Sequence, residues 1–147
     1  MNSILSHEKE ELIRVIFMPI SNRLQEETGS SLVEVEEHGH LFVSFITALG
    51  NIRVRCSGKR FIIQEFNLEL RDTTMDYFLL RLCLFLRRNE GNIISILRDP
   101  RTATLVDFVE SRYPDSVFTS LGEKSYLELK VSRFIARIAE RAQVNQS

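Results

Sequence analysis

The segment Met75-Asp76-Tyr77-Phe78-Leu79-Leu80-Arg81-Leu82-Cys83-Leu84-Phe85-Leu86 constrains the fold more than any other stretch. Read as a helix it is apolar all round, interrupted only by Asp76 and Arg81. A helix without a polar face has to be covered on every side. Two arrangements satisfy that demand. The helix lies between a sheet and further helices, or one side stays open and is covered by a partner or a second copy. Membrane insertion is not a third way. The apolar run Tyr77 to Leu86 has ten residues, and a bilayer crossing needs about twenty.

The rest of the chain supplies the cover. Over Ser6 to Thr28 the residues Leu12, Ile13, Val15, Ile16, Ile20 and Leu24 recur at helical spacing. Glu8, Glu10 and Glu11 suit the positive end of that helix. Pro19 removes one backbone donor inside it and should kink or split it. From Ser31 to Leu70 the period changes to two: Val33 and Val35, then Ile52, Val54 and Cys56, then Phe66, Leu68 and Leu70. Turn signals at His38-Gly39, Gly50-Asn51 and Ser57-Gly58 divide this stretch into about four antiparallel strands.

After Asp72 the helical period returns. Asp72 and Thr73 are caps for a helix to Arg88, with Gly91 at its exit. Asn92 to Arg98 reads as a short helical segment. Asp99-Pro100 restarts a helix that runs to Arg112, and Tyr113 to Ser116 is a turn. Val117 to Leu121 reads as strand or loop. Glu123 to Gln143 reads as one long amphipathic helix on Leu127, Val131, Phe134, Ile138 and Ala142. The expected fold is α+β in one domain, 1–147. An N-terminal helix (1–30) and a four-stranded antiparallel meander (31–71) precede three to four packed C-terminal helices (72–144).

Chemistry leaves few local traces. Glu36, His38 and His40 are two apart, and in a strand they would share a face. Gly39 marks that point as a hairpin tip, so an isolated His-x-His pair is read as polar surface, not as a metal site. Ser57-Gly58 and Ser120-Leu121-Gly122 lack the flanking glycines of a nucleophile elbow. No Gly-rich loop is present to cradle a phosphate. No catalytic residue, cofactor or metal is therefore expected. Cys56 and Cys83 sit among apolar neighbours and read as free buried thiols of a reducing compartment. Met1 to Glu11 has neither the cationic start nor the apolar core of a secretory signal, so cytoplasm is the expected location.

Charge is distributed unevenly. Residues 1–37 carry three Lys/Arg against eight Asp/Glu, whereas residues 53–101 carry ten against six. The net charge of the whole chain is -1, unlike that of a wholly basic nucleic-acid protein. Two function classes follow. The first is a non-enzymatic protein-binding module, an adaptor, chaperone-like or regulatory subunit. It would pair with a protein partner or with itself as a homodimer, through Phe78, Leu79, Leu82, Phe85 and Leu86. On that reading Leu82→Glu gives folded monomers. The second is a nucleic-acid-associated protein. It would use the basic hairpin Arg53, Arg55, Lys59 and Arg60, with Phe61 for stacking, and a helical stripe of Lys130, Arg133, Arg137 and Arg141.

Overall fold

The structure, a computed structural model, describes residues 6–57, 59–88, 91–113, 116–121 and 123–146, with side chains for all of these except 6–8, 57, 117–121 and 141–146. Its chain order begins with α1 (Ser6–Glu11), a π-helical segment (Leu12–Phe17) and α2 (Met18–Thr28). Four strands follow: β1 (Leu32–His38), β2 (His40–Ile46), β3 (Asn51–Ser57) and β4 (Arg60–Phe66). Then come α3 (Asp72–Arg88), β5 (Ile93–Leu97), a 3-10 turn (Pro100–Thr102) and α4 (Ala103–Arg112). The chain ends in β6 (Val117–Leu121), β7 (Lys124–Lys130) and α5 (Val131–Gln146).

The sheet does not stop at four strands. It has seven, in the order β1-β2-β3-β4-β5-β7-β6, and it is mixed: β5 runs parallel to β4 and every other pair is antiparallel. The expected meander followed only by packed helices is therefore incorrect. Helices and strands alternate in the second half. Asn92 to Arg98, expected as a helix, holds β5. Its apolar run is too short for a helix, and Ile94, Ser95 and Ile96 are buried on both faces of the sheet. Val117 to Leu121 is a strand. The long helix expected from Glu123 begins only at Val131, because Leu127 and Leu129 alternate with Tyr126 and Glu128 as β7. Spacings of three and four from Leu127 to Val131 and Phe134 match a helix by coincidence across a strand–helix junction.

All helices pack on one sheet face. Val43 and Phe45 of β2, Ile52, Val54 and Cys56 of β3, Phe61, Ile63 and Phe66 of β4 and Leu127 and Leu129 of β7 meet the apolar sides of α2 to α5 in one core. Aromatic contacts join the layers. Phe17 meets Phe45 at 5.7 Å and Phe61 at 6.3 Å, and Phe61 meets Phe85 of α3 at 5.9 Å. Tyr113, after α4, packs on Phe134 of α5 at 4.8 Å. Among the described residues no helix lies over the opposite sheet face. Its edge strand β1 presents Glu34 and Glu36 there, and Glu37 turns to the helical side to pair with Lys9.

Pro19 is accommodated without a break. It is the second residue of α2, directly after the π-helical segment, whose wider turn is closed by Met18 N–H donating to the carbonyl of Ile13, five residues back. Pro19 cannot donate to the carbonyl of Val15, four residues back. Arg81 Nη2, from the middle of α3, donates to that oxygen at 2.8 Å. The other charge between Met75 and Leu86 is also committed. Asp76 accepts from the Tyr113 hydroxyl at 2.7 Å and from Arg112 Nη2 at 3.0 Å. The first turn of α3 is held from α2, where Glu27 accepts from Arg71 N–H at 2.7 Å and from the buried Thr74 hydroxyl at 2.6 Å.

This arrangement predicts coupling between Arg81 and Pro19. Arg81→Ala removes a charge-assisted hydrogen bond and should cost about 1.5–3 kcal/mol in urea unfolding. With Pro19→Ala, residue 19 regains a backbone donor for the helix, so the same Arg81→Ala change should cost less. A cycle in which the two costs simply add would contradict the assignment.

Candidate functional site

Three places deserve the name of candidate: the helix α3, the basic residues expected to meet nucleic acid, and the polar groups expected to be chemically idle. The five side chains expected at a partner interface, Phe78, Leu79, Leu82, Phe85 and Leu86, are between 0% and 4% exposed. They face the sheet and close the chain's own core. Leu82→Glu would bury a carboxylate in that core and should unfold the chain rather than release monomers.

The other side of the same helix is different. Thr73, Tyr77, Leu80, Leu84 and Arg87 follow one another at three and four along its outward face. Tyr77, Leu80 and Leu84 are half-buried and Thr73 and Arg87 exposed. Arg81 and Asp76 flank this stripe and are turned sideways, Arg81 to the π-helical segment and Asp76 to the end of α4. Tyr77 lies under two guanidinium groups, Arg23 at 5.2 Å and Arg81 at 5.6 Å. Ile135 and Ile138 of α5 and Ile13 of the π-helical segment are further half-buried apolar side chains of the helix layer. Sequence reasoning treated α3 as uniform and missed this division. The signal was present: 3.6-residue spacing puts Asp76 and Arg81 on opposite flanks, and Tyr77, Leu80 and Leu84 between them.

The basic hairpin is internally satisfied over most of its length. Arg53 donates to Gln64 Oε1 and Ser44 Oγ, each at 3.3 Å, approaches Glu36 at 4.0 Å and lies 4.7 Å over the Phe42 ring. Arg60 Nε donates to Ser95 Oγ at 2.8 Å, and its Nη2 reaches Glu128 at 3.4 Å. Phe61 is 2% exposed and packs between Phe17 and Phe85, so it offers no stacking surface. Lys59 is exposed at the β3–β4 turn. Arg55 points to the uncovered sheet face between Phe42 and Ile62. The second basic group straddles two elements. Lys130 ends β7, while Arg133 and Arg137 lie on α5. The three line one small hollow with Tyr113, Ser116, Leu129 and Phe134. Arg137 also lies 3.8 Å from Glu140, and the side chain of Arg141 lies outside the described residues.

Gly39, at φ 75°, forms the expected hairpin tip. His38 and His40 are paired across it on the uncovered face, and His38 Nε2 lies 3.2 Å from Glu36. Among the described residues no three His, Cys, Asp or Glu side chains are arranged to hold a metal ion. Gly58 and Gly122 lie outside the described residues, as do the side chains of His7, Ser57 and Ser120. Cys56 and Cys83 are free and buried, and burial pushes both thiols far above their ordinary range. A thiol held neutral is a poor nucleophile. No helix among the described residues is long and apolar enough to cross a membrane. No known protein-family model matches the chain, and no curated protein is significantly similar to it in sequence.

The buried thiols predict a pH response with a definite sign. Burial holds both thiols above the ordinary thiol range, so at alkaline pH the native state keeps protons that the unfolded chain releases. Stability should be unaffected by these groups below pH 9.0 and should fall above it. Urea midpoints should drop between pH 8 and pH 10 more steeply in the wild type than in Cys56→Ala. Ellman's reagent should detect neither thiol until denaturant is added. Prompt reaction of the native protein would show that one of them is accessible.

Proposed function

We propose that the chain is a non-enzymatic protein-binding module that pairs with a second copy through the outward stripe of α3. The observation that carries this reading is the placement of Tyr77, Leu80 and Leu84, half-buried in the middle of the central helix of the helical layer. Leu80 is the midpoint of Asp72–Arg88. An antiparallel copy related by a two-fold axis at Leu80 sets Leu80 against its counterpart and Tyr77 against Leu84 of the other copy. The ends then complement each other. Asp72, 64% exposed though 3.5 Å from Arg112 on one side, and Arg87, exposed, lie on the same flank by helical spacing, so each acid faces the other copy's base, and the two helix dipoles oppose.

The buried free cysteines support a reducing compartment such as the cytoplasm. The nucleic-acid alternative has less behind it. Its stacking residue is in the core and two of its arginines already hold neighbours within the sheet.

Light scattering during size-exclusion chromatography tests the proposal. The wild type should run at dimer mass and dissociate on dilution. Leu80→Glu should run as a monomer and keep a thermal midpoint near that of the diluted wild type, in contrast to Leu82→Glu, which should not fold. Arg87→Glu should weaken pairing roughly tenfold, as the loss of a flanking ion pair does at low salt, and adding Asp72→Lys should recover most of it. A wild type that stays monomeric at every concentration, or a Leu80→Glu protein that stays dimeric, would refute it.

A further inference from the structure

The sheet face away from the helices carries a second, independent feature. Its side chains form rows across the strands. One row runs Glu36, Phe42, Arg55, Ile62 and Ser95 from β1 to β5. The neighbouring row contains His38, His40 and Arg60. Arg55 stands at the centre of these rows, on β3, between one aromatic and one aliphatic side chain. It is half-buried and its Nε is covered by protein without meeting an acceptor. Among the described residues nothing joins its side chain by a hydrogen bond or an ion pair, whereas Arg53 and Arg60, on either side of it, each reach a carboxylate. His40 Nδ1, on the same face, is likewise covered and without a partner. The carboxylates close by are committed elsewhere, Glu36 to His38 and Arg53, and Glu128 to Arg60. This part of the face is short of acceptors.

A half-buried cation that lacks an anion has lost hydration without recovering it. An incoming carboxylate does not reach the covered Nε, but it can bridge the two terminal nitrogens, which are not among the covered atoms, and supply the missing counter-charge. The surroundings select the kind of anion. Phe42 and Ile62 offer apolar contact on both sides of Arg55. Glu36 and Glu128 close the two ends of the row, Glu34 and Glu65 stand in the next one, and together they repel a chain that is charged at every repeat. A phosphodiester backbone is disfavoured there, and a single carboxylate between apolar neighbours is accepted. We infer that the uncovered sheet face is a docking site for an acidic, otherwise apolar segment of a partner protein, with one carboxylate of that segment on Arg55. This face is opposite to the α3 stripe, so the inference stands or falls separately from self-association.

The test uses a short acetylated and amidated peptide with a single aspartate between valines, and the same peptide with asparagine in place of that aspartate. Titration into the full chain should give roughly tenfold tighter binding for the acidic peptide, the worth of one charge-assisted pair. The Arg55 Nε–H resonance should move with the acidic peptide and stay still with the neutral one. Arg55→Met should abolish the difference between the peptides. Arg55→Lys keeps the charge without the fork and should retain only part of it, which gives a reading even if Arg55→Met folds poorly. Leu80→Glu should change none of these results. Equal affinity for the two peptides, or a difference that survives Arg55→Met, overturns the inference. Displacement of the acidic peptide by oligothymidylate, with the same Arg55 resonance shifting, overturns it in favour of nucleic acid.

Discussion

The fold depends on how the central helix disposes of the two charges inside its apolar stretch. Between Met75 and Leu86 the chain carries only Asp76 and Arg81, and neither faces the sheet. Arg81 reaches sideways to the Val15 carbonyl that Pro19 leaves without its usual donor, and Asp76 reaches the other way to Tyr113 and Arg112 at the end of α4. Polar contacts on both flanks, from Arg81 on one and Asp76 on the other, fix the rotation of α3 about its axis. That rotation decides which leucines become core and which remain outside. With Phe78, Leu79, Leu82 and Leu86 set against the sheet, Tyr77, Leu80 and Leu84 have nowhere to go but outward. The half-buried outward stripe is therefore a consequence of the same contacts that hold the helix in place.

Much of the first half was legible in the sequence because its periods are long and uninterrupted. The helical spacing up to Leu24 and the alternations in β1 and β3 each repeat often enough to exclude the other period. The second half was misread for two physical reasons. β5 is buried on both faces, so it shows no alternation, and a five-residue apolar run looks the same in a helix. β7 passes directly into α5 at Lys130–Val131, and without a turn residue between them the two periods merge into one apparent stripe. The missing signal in both cases is long-range. β5 owes its state to β4 on one side and β7 on the other, neither of which is near it in sequence.

Site residues show the same limit. The apolar abundance of α3 is legible in its sequence, but the burial of Leu79 and Leu82 is not, because the sheet that covers them is invisible from within the helix. The arginines of the hairpin were all visible, yet their partners were not. Ser95 is 35 positions from Arg60, and Glu128 is 68. Only the assembled sheet separates Arg55 from its neighbours as the one of the three hairpin strand arginines, Arg53, Arg55 and Arg60, that meets no carboxylate among the described residues.

The π-helical segment has a consequence for the N-terminus. A π turn holds one residue more than an α turn, so everything upstream of it is rotated by about 100° relative to an unbroken α-helix. Lys9 meets Glu37 at the far end of β1, and Glu11 meets Arg88 at the last turn of α3 at 2.6 Å, with that offset in place. The segment thus works as a phase setting. It lets the residues after Pro19 meet the start of α3, through Arg23 on Tyr77 and Glu27 on Thr74, while the residues before it reach β1 and the last turn of α3. Neither half of the helix then dictates the angular position of the other.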